Sequence, residues 1–327
     1  MKHMNKILAL VLTLVMAFCM MVTVSAEEQR NVAIVWPTMS VEFFSDFAEM
    51  MKSKAEAAGM KAEIMSYDFN PATMITQLEN CGAMGVTDVI SCAMDQEAPI
   101  EICKQLREQG VRLTFFSYAP NDIDAYDNVS VANQFDIGHA VGEVASDWVN
   151  AKYPEAADGS VKAILIALPT SEEEVNRDNG IKAGLAENSK IELVKVYELA
   201  EDNEVAAQAA FENALLEFPD LQIVCTHFAN FAMAIDETAA TYSQIDRDNF
   251  AIFSGDWDTP IAERVASSAN NESLIRGLGA YDNLVTKKQF DISMGKFDSE
   301  LNELKQYVIS VMKVNPDNVA DYLVMDY

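Results

Sequence analysis

Short apolar runs and longer amphipathic stretches alternate along almost the whole chain. "VAIVW" has the continuous apolar character of a strand buried on both faces, and the stretch after it predicts a helix near 41–58 that ends at Gly59. "KAEIMSY" then leads to a helical "PATMITQLENCGAMG", "TDVISC" to a helix closing at Gly110, and "VRLTFFSY" and "NVSVAN" to "DIGHAVGEVASDWVNAKY". The second half repeats the rhythm. "VKAILIAL" precedes a helix opening at Ser171, where Ser171 and Glu174 have capping-box spacing. "IELVKVY" precedes "NEVAAQAAFENALLEF", "LQIVCTH" precedes "NFAMAIDETAATY", and "FAIFSGD", "SLIRGLG" and "YVISVMKV" are the last predicted strands.

Strands alternating with helices mean βαβ units and parallel sheets covered on both faces, an α/β class. About ten strands exceed a comfortable single open sheet, so two doubly wound parallel-sheet lobes are expected. The length of 327 residues agrees. No Pro/Gly-rich linker separates the halves, which implies lobes joined by ordered crossing segments.

The first residues break the pattern. "MKHMNK" is short and basic, "ILALVLTLVMAFCMMVTV" is apolar throughout, and "VSA" precedes the charged "EEQRN". These are an n-region, an h-region and a small-residue cleavage site at Val24-Ser25-Ala26, so residues 1–26 are expected to be a signal peptide. The mature chain is then exported, periplasmic or at the cell surface. A membrane anchor is the other reading of so long an apolar run. Lipid attachment at Cys19 is disfavoured, because Phe18 stands where a small residue is wanted.

Composition narrows the partners. Apolar residues at 50% and charged residues at 23% belong to a globular chain, not a disordered one. The net charge is −28, and it becomes −30 once Lys2 and Lys6 leave with the leader. Such a surface repels phosphate backbones and anionic lipid, so nucleic acid is excluded as a partner and a soluble monomer is expected. Cys81, Cys92, Cys103 and Cys225 lie in apolar segments with no C-x-x-C spacing; they are expected to be free buried thiols, although export would permit a disulfide.

Little in the chain speaks for catalysis, and no cofactor is expected. His139 and His227 have no partner at metal-ligand spacing, so no metal is expected. "GLGAYDNL" lacks the third glycine of a dinucleotide fingerprint. No G-x-S-x-G elbow is present, and Asp256 stands alone where glycoside hydrolysis needs paired carboxylates. Glu172, Glu173 and Glu174 suit the first turn of a helix as solvated residues, and Asp95 reads as an N-cap.

The turn between the first strand and helix carries Trp36, Phe43 and Phe44. Aromatic residues there either fill the core or form one wall of a ligand cleft. With an exported chain and two α/β lobes, the sequence resembles the type I periplasmic binding proteins, the sugar-binding solute receptors of ABC importers. The landmarks are "IVWPTMSVEFFSDFAEMMKSKAEAAG", "MITQLENCGAMGVTDVISCAMDQEAPIEICKQLREQGVRLTFFS", "RDNGIKAGL", "FPDLQIVCTHFANFAMA" and "FAIFSGD". Their order and spacing span nearly all of the mature chain. The resemblance implies a three-segment hinge, an N-terminal lobe of 27–131 and 280–305, and a C-terminal lobe of 132–279 and 306–327. It places a small-molecule ligand between the lobes at the strand ends, which strand topology also predicts.

The departures from the family pattern bear on the ligand. Phe43 and Phe44 match its two stacking phenylalanines, but Val41 and Glu42 replace the Asn-Pro before them. Ser117 and Tyr118 replace an Asp-Arg pair that grips sugar hydroxyls, Val175 falls where a second arginine is expected, Phe228 and Ala229 replace Asn-Asp, and Gly279 or Ala280 stands for a glutamine. Asn133 and Asp256 are kept. The expected site is an aromatic cage of Trp36, Phe43, Phe44, Tyr118, Phe228 and Trp257, with Ser117, Asn133 and Asp256 as polar anchors. Such a cage suits the apolar face of a sugar derivative or nucleoside better than a plain hexose, each unpaired hydroxyl of which costs about 1–3 kcal/mol.

The function expected from the resemblance is that of a non-enzymatic solute receptor handing a sugar, sugar derivative or nucleoside-like molecule to an ABC permease. A receptor feeding a membrane sensor or chemoreceptor is the alternative, and an exported α/β enzyme a weaker one. A ligand-controlled transcription regulator of related fold is opposed by the leader, the charge and the missing helix-turn-helix head.

Overall fold

The computed structural model describes residues 30–281, 289–294 and 305–323. The expected leader, residues 1–26, lies outside the described residues. Among them no helix is long and apolar enough to cross a membrane.

The chain builds two six-stranded sheets. The first comprises β1 (Asn31–Trp36), β2 (Lys61–Ser66), β3 (Asp88–Ser91), β4 (Arg112–Phe116), β5 (Asn128–Ala132) and β11 (Gln306–Ile309), in the order β2-β1-β3-β4-β5-β11. All its pairings are parallel. The second comprises β6 (Val161–Ala167), β7 (Ile191–Glu198), β8 (Leu221–Thr226), β9 (Ala251–Gly255), β10 (Ile275–Tyr281) and β12 (Val311–Val314), in the order β7-β6-β8-β9-β10-β12. It is parallel except for the antiparallel edge β10–β12. Both orders reverse direction once, at β1/β3 and at β6/β8.

Helices cover both faces of each sheet. In the first lobe α1 (Glu42–Ala57) and α9 (Gln289–Ser293) lie on one face, and α2 (Pro71–Ala83) and α3 (Ile100–Glu108) on the other. In the second lobe α4 (Gln134–Lys152) and α5 (Glu172–Ala186) lie on one face. The opposite face carries α6 (Glu204–Glu217), α7 (Ala229–Ala239), α8 (Thr259–Ser268) and the short α10 (Ala320–Leu323). This double cover is why the strands are apolar throughout: Ile34, Val35, Ile164, Leu165, Ile166 and Ile252 are all completely buried.

Side-chain caps fix several helix starts. Asn70, Asn133, Asn203 and Asp258 each accept a backbone N–H of the first turn, and Ser171 accepts that of Glu174 at 3.3 Å, as the capping-box spacing predicts. Asp95 does not cap a helix. Its Oδ1 accepts from Glu97 N and Ala98 N, closing a turn before α3. The four cysteines Cys81, Cys92, Cys103 and Cys225 are free and buried, as expected.

Two boundaries differ from expectation. "YVISVMKV" reads as one strand, but it breaks at Ser310, so that β11 pairs with β5 in the first sheet and β12 with β10 in the second. Residues 306–309 therefore belong with the N-terminal sheet. Ala280 and Tyr281 still pair with β12, which keeps them in the second sheet. An apolar run cannot reveal a change of sheet, because apolar residues suit an edge strand of either lobe.

Candidate ligand-binding cleft

In open α/β sheets, ligands sit at the carboxyl ends of the strands near the point where strand order reverses. The side chains at those ends form one connected polar system whose centre is Arg177.

Arg177 lies in α5 and is 4% exposed. Its Nε–H donates to Gln134 Oε1 at 2.9 Å, its Nη1 donates to the His227 carbonyl at 3.2 Å, and the same Nη1 meets Asp256 Oδ1 at 2.8 Å. The ring of Phe228 lies under the guanidinium, 5.3 Å from Cζ. Burial works against this charge, but the Asp256 carboxylate outweighs it and holds Arg177 protonated, above the ordinary arginine range.

Helix packing brings these groups together. Gly138 and Gly142 of α4 face Gly180 and Gly184 of α5; a Cβ on Gly138 would stand 1.9 Å from the Arg177 carbonyl, and one on Gly180 2.1 Å from that of Phe135. Only glycines permit so close an approach, and it sets Arg177 beside Gln134 at the start of α4. Gly255 plays the same part at the end of β9, where a Cβ would meet the His227 carbonyl at 2.6 Å and crowd the guanidinium.

Behind Arg177, Asp178 and His227 form a buried pair at 2.7 Å between Oδ1 and Nδ1. Asp178 Oδ2 also accepts the Leu168 N–H at 3.1 Å. The pair ties the ends of β6 and β8 to α5, and so fixes the strands on either side of the second reversal.

The system crosses to the other lobe. Gln134 Nε2 donates to the Tyr281 hydroxyl at 3.0 Å, and Ser117 at the end of β4 bonds the same phenol. Burial raises the pKa of Tyr281 and Tyr118, so both phenols stay neutral and able to donate and accept. Ser117 and Asp256 hold left-handed backbone, with φ of 62° and 69°. Non-glycine residues in that region cost about 1–3 kcal/mol each and gather at functional sites.

The expected site residues fall into four groups. Ser117, Tyr118, Phe228 and Asp256 stand together at the strand ends around Arg177. Phe43 and Phe44 form an edge-to-face pair 5.3 Å apart at the start of α1, and the exposed Phe69 adds a ring 5.9 Å from Phe44. Asn133 is engaged as the cap of α4, its Oδ1 accepting from Phe135 N and Asp136 N.

Trp36 and Trp257 do not form the wall. Trp36 is completely buried among Phe44, Phe47 and Phe116, and its indole N–H donates to the Phe44 carbonyl at 2.8 Å. It braces the turn from behind. Trp257 is 8% exposed in the core of the second lobe, edge-on to Tyr322.

Arg177, Gln134 and Tyr281 are the residues that sequence reasoning missed. Val175, expected at the family's arginine position, is exposed on α5, two residues before Arg177. The available signal was the spacing from Arg177 to Gly180 and Gly184 within "RDNGIKAGL". The cleft holds a fork-shaped donor, a carboxylate and two phenols beside its rings. Among the described residues no group of histidine, cysteine or carboxylate side chains could hold a metal ion.

Comparison with known proteins agrees with this architecture. A model of the periplasmic binding protein domain matches residues 32–272. A periplasmic solute-binding protein of an ABC transporter from Actinobacillus succinogenes, solved with D-allose, superposes with a TM-score of 0.71 at 16% identity, covering 90% of this chain and 100% of that one. The Caulobacter myo-inositol binding protein bound to myo-inositol gives 0.66 at 18% identity over 90% and 96%. A periplasmic ribose ABC transporter protein from Conexibacter woesei gives 0.70 at 13% identity over 90% and 94%. No curated protein matches the chain significantly in sequence.

Proposed function

The chain belongs to the periplasmic binding protein domain family, a family of non-enzymatic solute-binding proteins, and from that premise we propose that it captures a neutral polyhydroxy ring compound between its lobes for an ABC importer. The observation that carries the ligand class is the Arg177–Asp256 pair with the Phe228 ring packed against it. A sugar, cyclitol or nucleoside ring offers hydroxyls to the fork, carboxylate and phenols, and its C–H face to Phe43, Phe44 and Phe228. The structurally similar proteins solved with D-allose and myo-inositol support a ligand of this size and polarity.

Anionic ligands are disfavoured. The carboxylate of Asp256, 2.8 Å from Arg177 Nη1, already answers the guanidinium charge. Catalysis is not part of this reading. The polar groups of the cleft are tied to one another in a static bonding system, with a guanidinium at its centre that has no proton to give or take near neutral pH.

The leader expected at 1–26 supports export, with the mature protein working as a monomer outside the cytoplasm; N-terminal sequencing of the exported product should begin at Glu27. Calorimetry with allose, ribose, myo-inositol, nucleosides and sugar phosphates tests the ligand class. Binding of at least one neutral ring compound and of no sugar phosphate is expected; tight binding of a phosphate would sink the reading.

A further inference from the structure

Phe69, in the turn from β2 to α2, is 47% exposed and stands on left-handed backbone at φ 56°, directly after Asp68 at φ 47°. A bulky residue there is an outlier, whereas Gly or Asn would hold the same turn with less strain and no exposed ring. The turn is nevertheless firmly fixed. The Tyr67 and Phe69 N–H groups donate to the Trp36 and Pro37 carbonyls, each at 2.9 Å, and the Asn70 N–H donates to the Tyr67 carbonyl at 2.9 Å. Ser66 Oγ donates to Asp68 Oδ1 at 2.6 Å, and Asn70 Oδ1 accepts the Thr73 N–H as the cap of α2. A bonded backbone therefore holds the ring out toward solvent.

Its place in the fold says what it faces. Parallel pairing sets Ser66 of β2 beside Trp36 of β1, so Phe69 follows the carboxyl end of β2 at the level of the turn that carries Phe43 and Phe44. Phe69 packs edge-to-face on Phe44, and Phe44 packs edge-to-face on Phe43, so the three rings form one row. The strands next to the lobe crossings, β5 and β11 in one sheet and β10 and β12 in the other, lie at one end of each sheet, and β2 lies at the opposite end of its own. Phe69 thus ends the row at the mouth of the cleft. The polar system around Arg177 reaches the first lobe at Ser117, after β4, and β3 and β1 separate β4 from β2.

Resting on the solute-receptor reading above, we propose that Phe69 is a specificity-determining residue. It takes the mouth-facing edge of the ligand ring and selects compounds that carry a methyl group or a hydrogen there in place of a hydroxyl. A half-exposed phenyl ring gains from being covered by C–H groups. It offers no partner to a hydroxyl that lobe closure removes from water, and such a hydroxyl is costly. The preferred ligand is then an amphipathic single ring, polar toward Asp256 and apolar toward Phe69, such as a deoxy sugar, an O-methyl glycoside or a deoxynucleoside.

The experiment is titration calorimetry on the mature chain with matched pairs that differ in one hydroxyl. The pairs are D-allose with 6-deoxy-D-allose, D-galactose with D-fucose, D-ribose with its methyl furanoside, and adenosine with 5′-deoxyadenosine. In the pair that binds most tightly, the less polar member should bind about fivefold or more tighter, the effect of one hydroxyl left without a partner. Phe69→Asn, which suits left-handed backbone but removes the ring, should bring the two members within about twofold and melt no lower than the parent. Phe69→Trp should keep the preference. Equal binding of both members by the parent, or a preference for the hydroxylated one, overturns the role of Phe69 while the receptor reading stands. So does a lower melting temperature of Phe69→Asn with an unchanged ratio, which would make the ring a packing residue. If no neutral ring compound binds at all, both fall.

Discussion

Arg177 and Asp256 meet at 2.8 Å with unequal burial: the guanidinium side chain is 5% exposed and the carboxylate 30%. The arginine is locked by three acceptors and a ring, whereas the aspartate, on a left-handed residue at the strand end, keeps an open side. A ligand hydroxyl therefore meets Asp256 without the ion pair having to break.

Asp256→Ala should accordingly damage the fold as well as binding. It leaves a buried guanidinium without its counter-charge, and breaking a buried pair from one side costs about 3 kcal/mol or more. Urea unfolding should show a lower midpoint at unchanged slope, and calorimetry should show affinity for the best neutral ring compound falling by tenfold or more. Unaltered stability with lost binding would mean that Arg177 is solvated in solution.

The glycine contact between α4 and α5 is open to a sharper test. Gly180→Ala places a methyl group 2.1 Å from the Phe135 carbonyl, backbone that has no way to yield without separating the helices. Overpacking of this kind costs about 3 kcal/mol or more. Gly159→Ala, at a φ of 67° but with nothing within 4 Å, should cost only about 1 kcal/mol. Thermal melts of the two variants should separate clearly, with Gly180→Ala far below.

The thiols should be silent in the folded state. Burial pushes Cys81 up to about 11 and Cys92 and Cys103 up to about 12, from an ordinary value of 9.0. Above pH 9 the unfolded chain gives up these protons while the folded chain keeps them, so the unfolded state binds fewer protons and stability falls as pH rises from about 9 to 11. Native protein at pH 8 should not react with a thiol-specific chromophore, and denatured protein should react fully. Rapid labelling of native protein would contradict the buried positions.

Ligand-driven closure follows from a cleft whose bonding system reaches from Arg177 through Gln134 and Tyr281 to Ser117 in the other lobe. Small-angle scattering should show a smaller radius of gyration at saturation with a ligand that calorimetry has identified. An unchanged radius would point to a cleft already closed without ligand.

The alternation of strands and helices was legible because each strand, buried on both faces, carries an unbroken apolar run, and because Asn, Ser and Asp mark helix starts. The cleft was legible only in outline. Trp36 and Phe43 read alike in sequence, yet Trp36 points into the core and Phe43 packs at its edge, a difference set by side-chain direction at one turn. Arg177 looks like any polar residue of an acidic helix, since its burial comes from α4, which approaches only through glycines about forty residues upstream. Such contacts follow from the fold and leave no local periodicity.

The break at Ser310 also has a bearing on when this chain becomes folded. The edge strands β11 and β12, residues 306–309 and 311–314, are consecutive in the chain yet join different sheets. As the chain emerges amino end first, each sheet lacks its sixth strand until this one short stretch is out. Neither lobe gains its edge strand well ahead of the other, so the two halves reach their full strand order almost together.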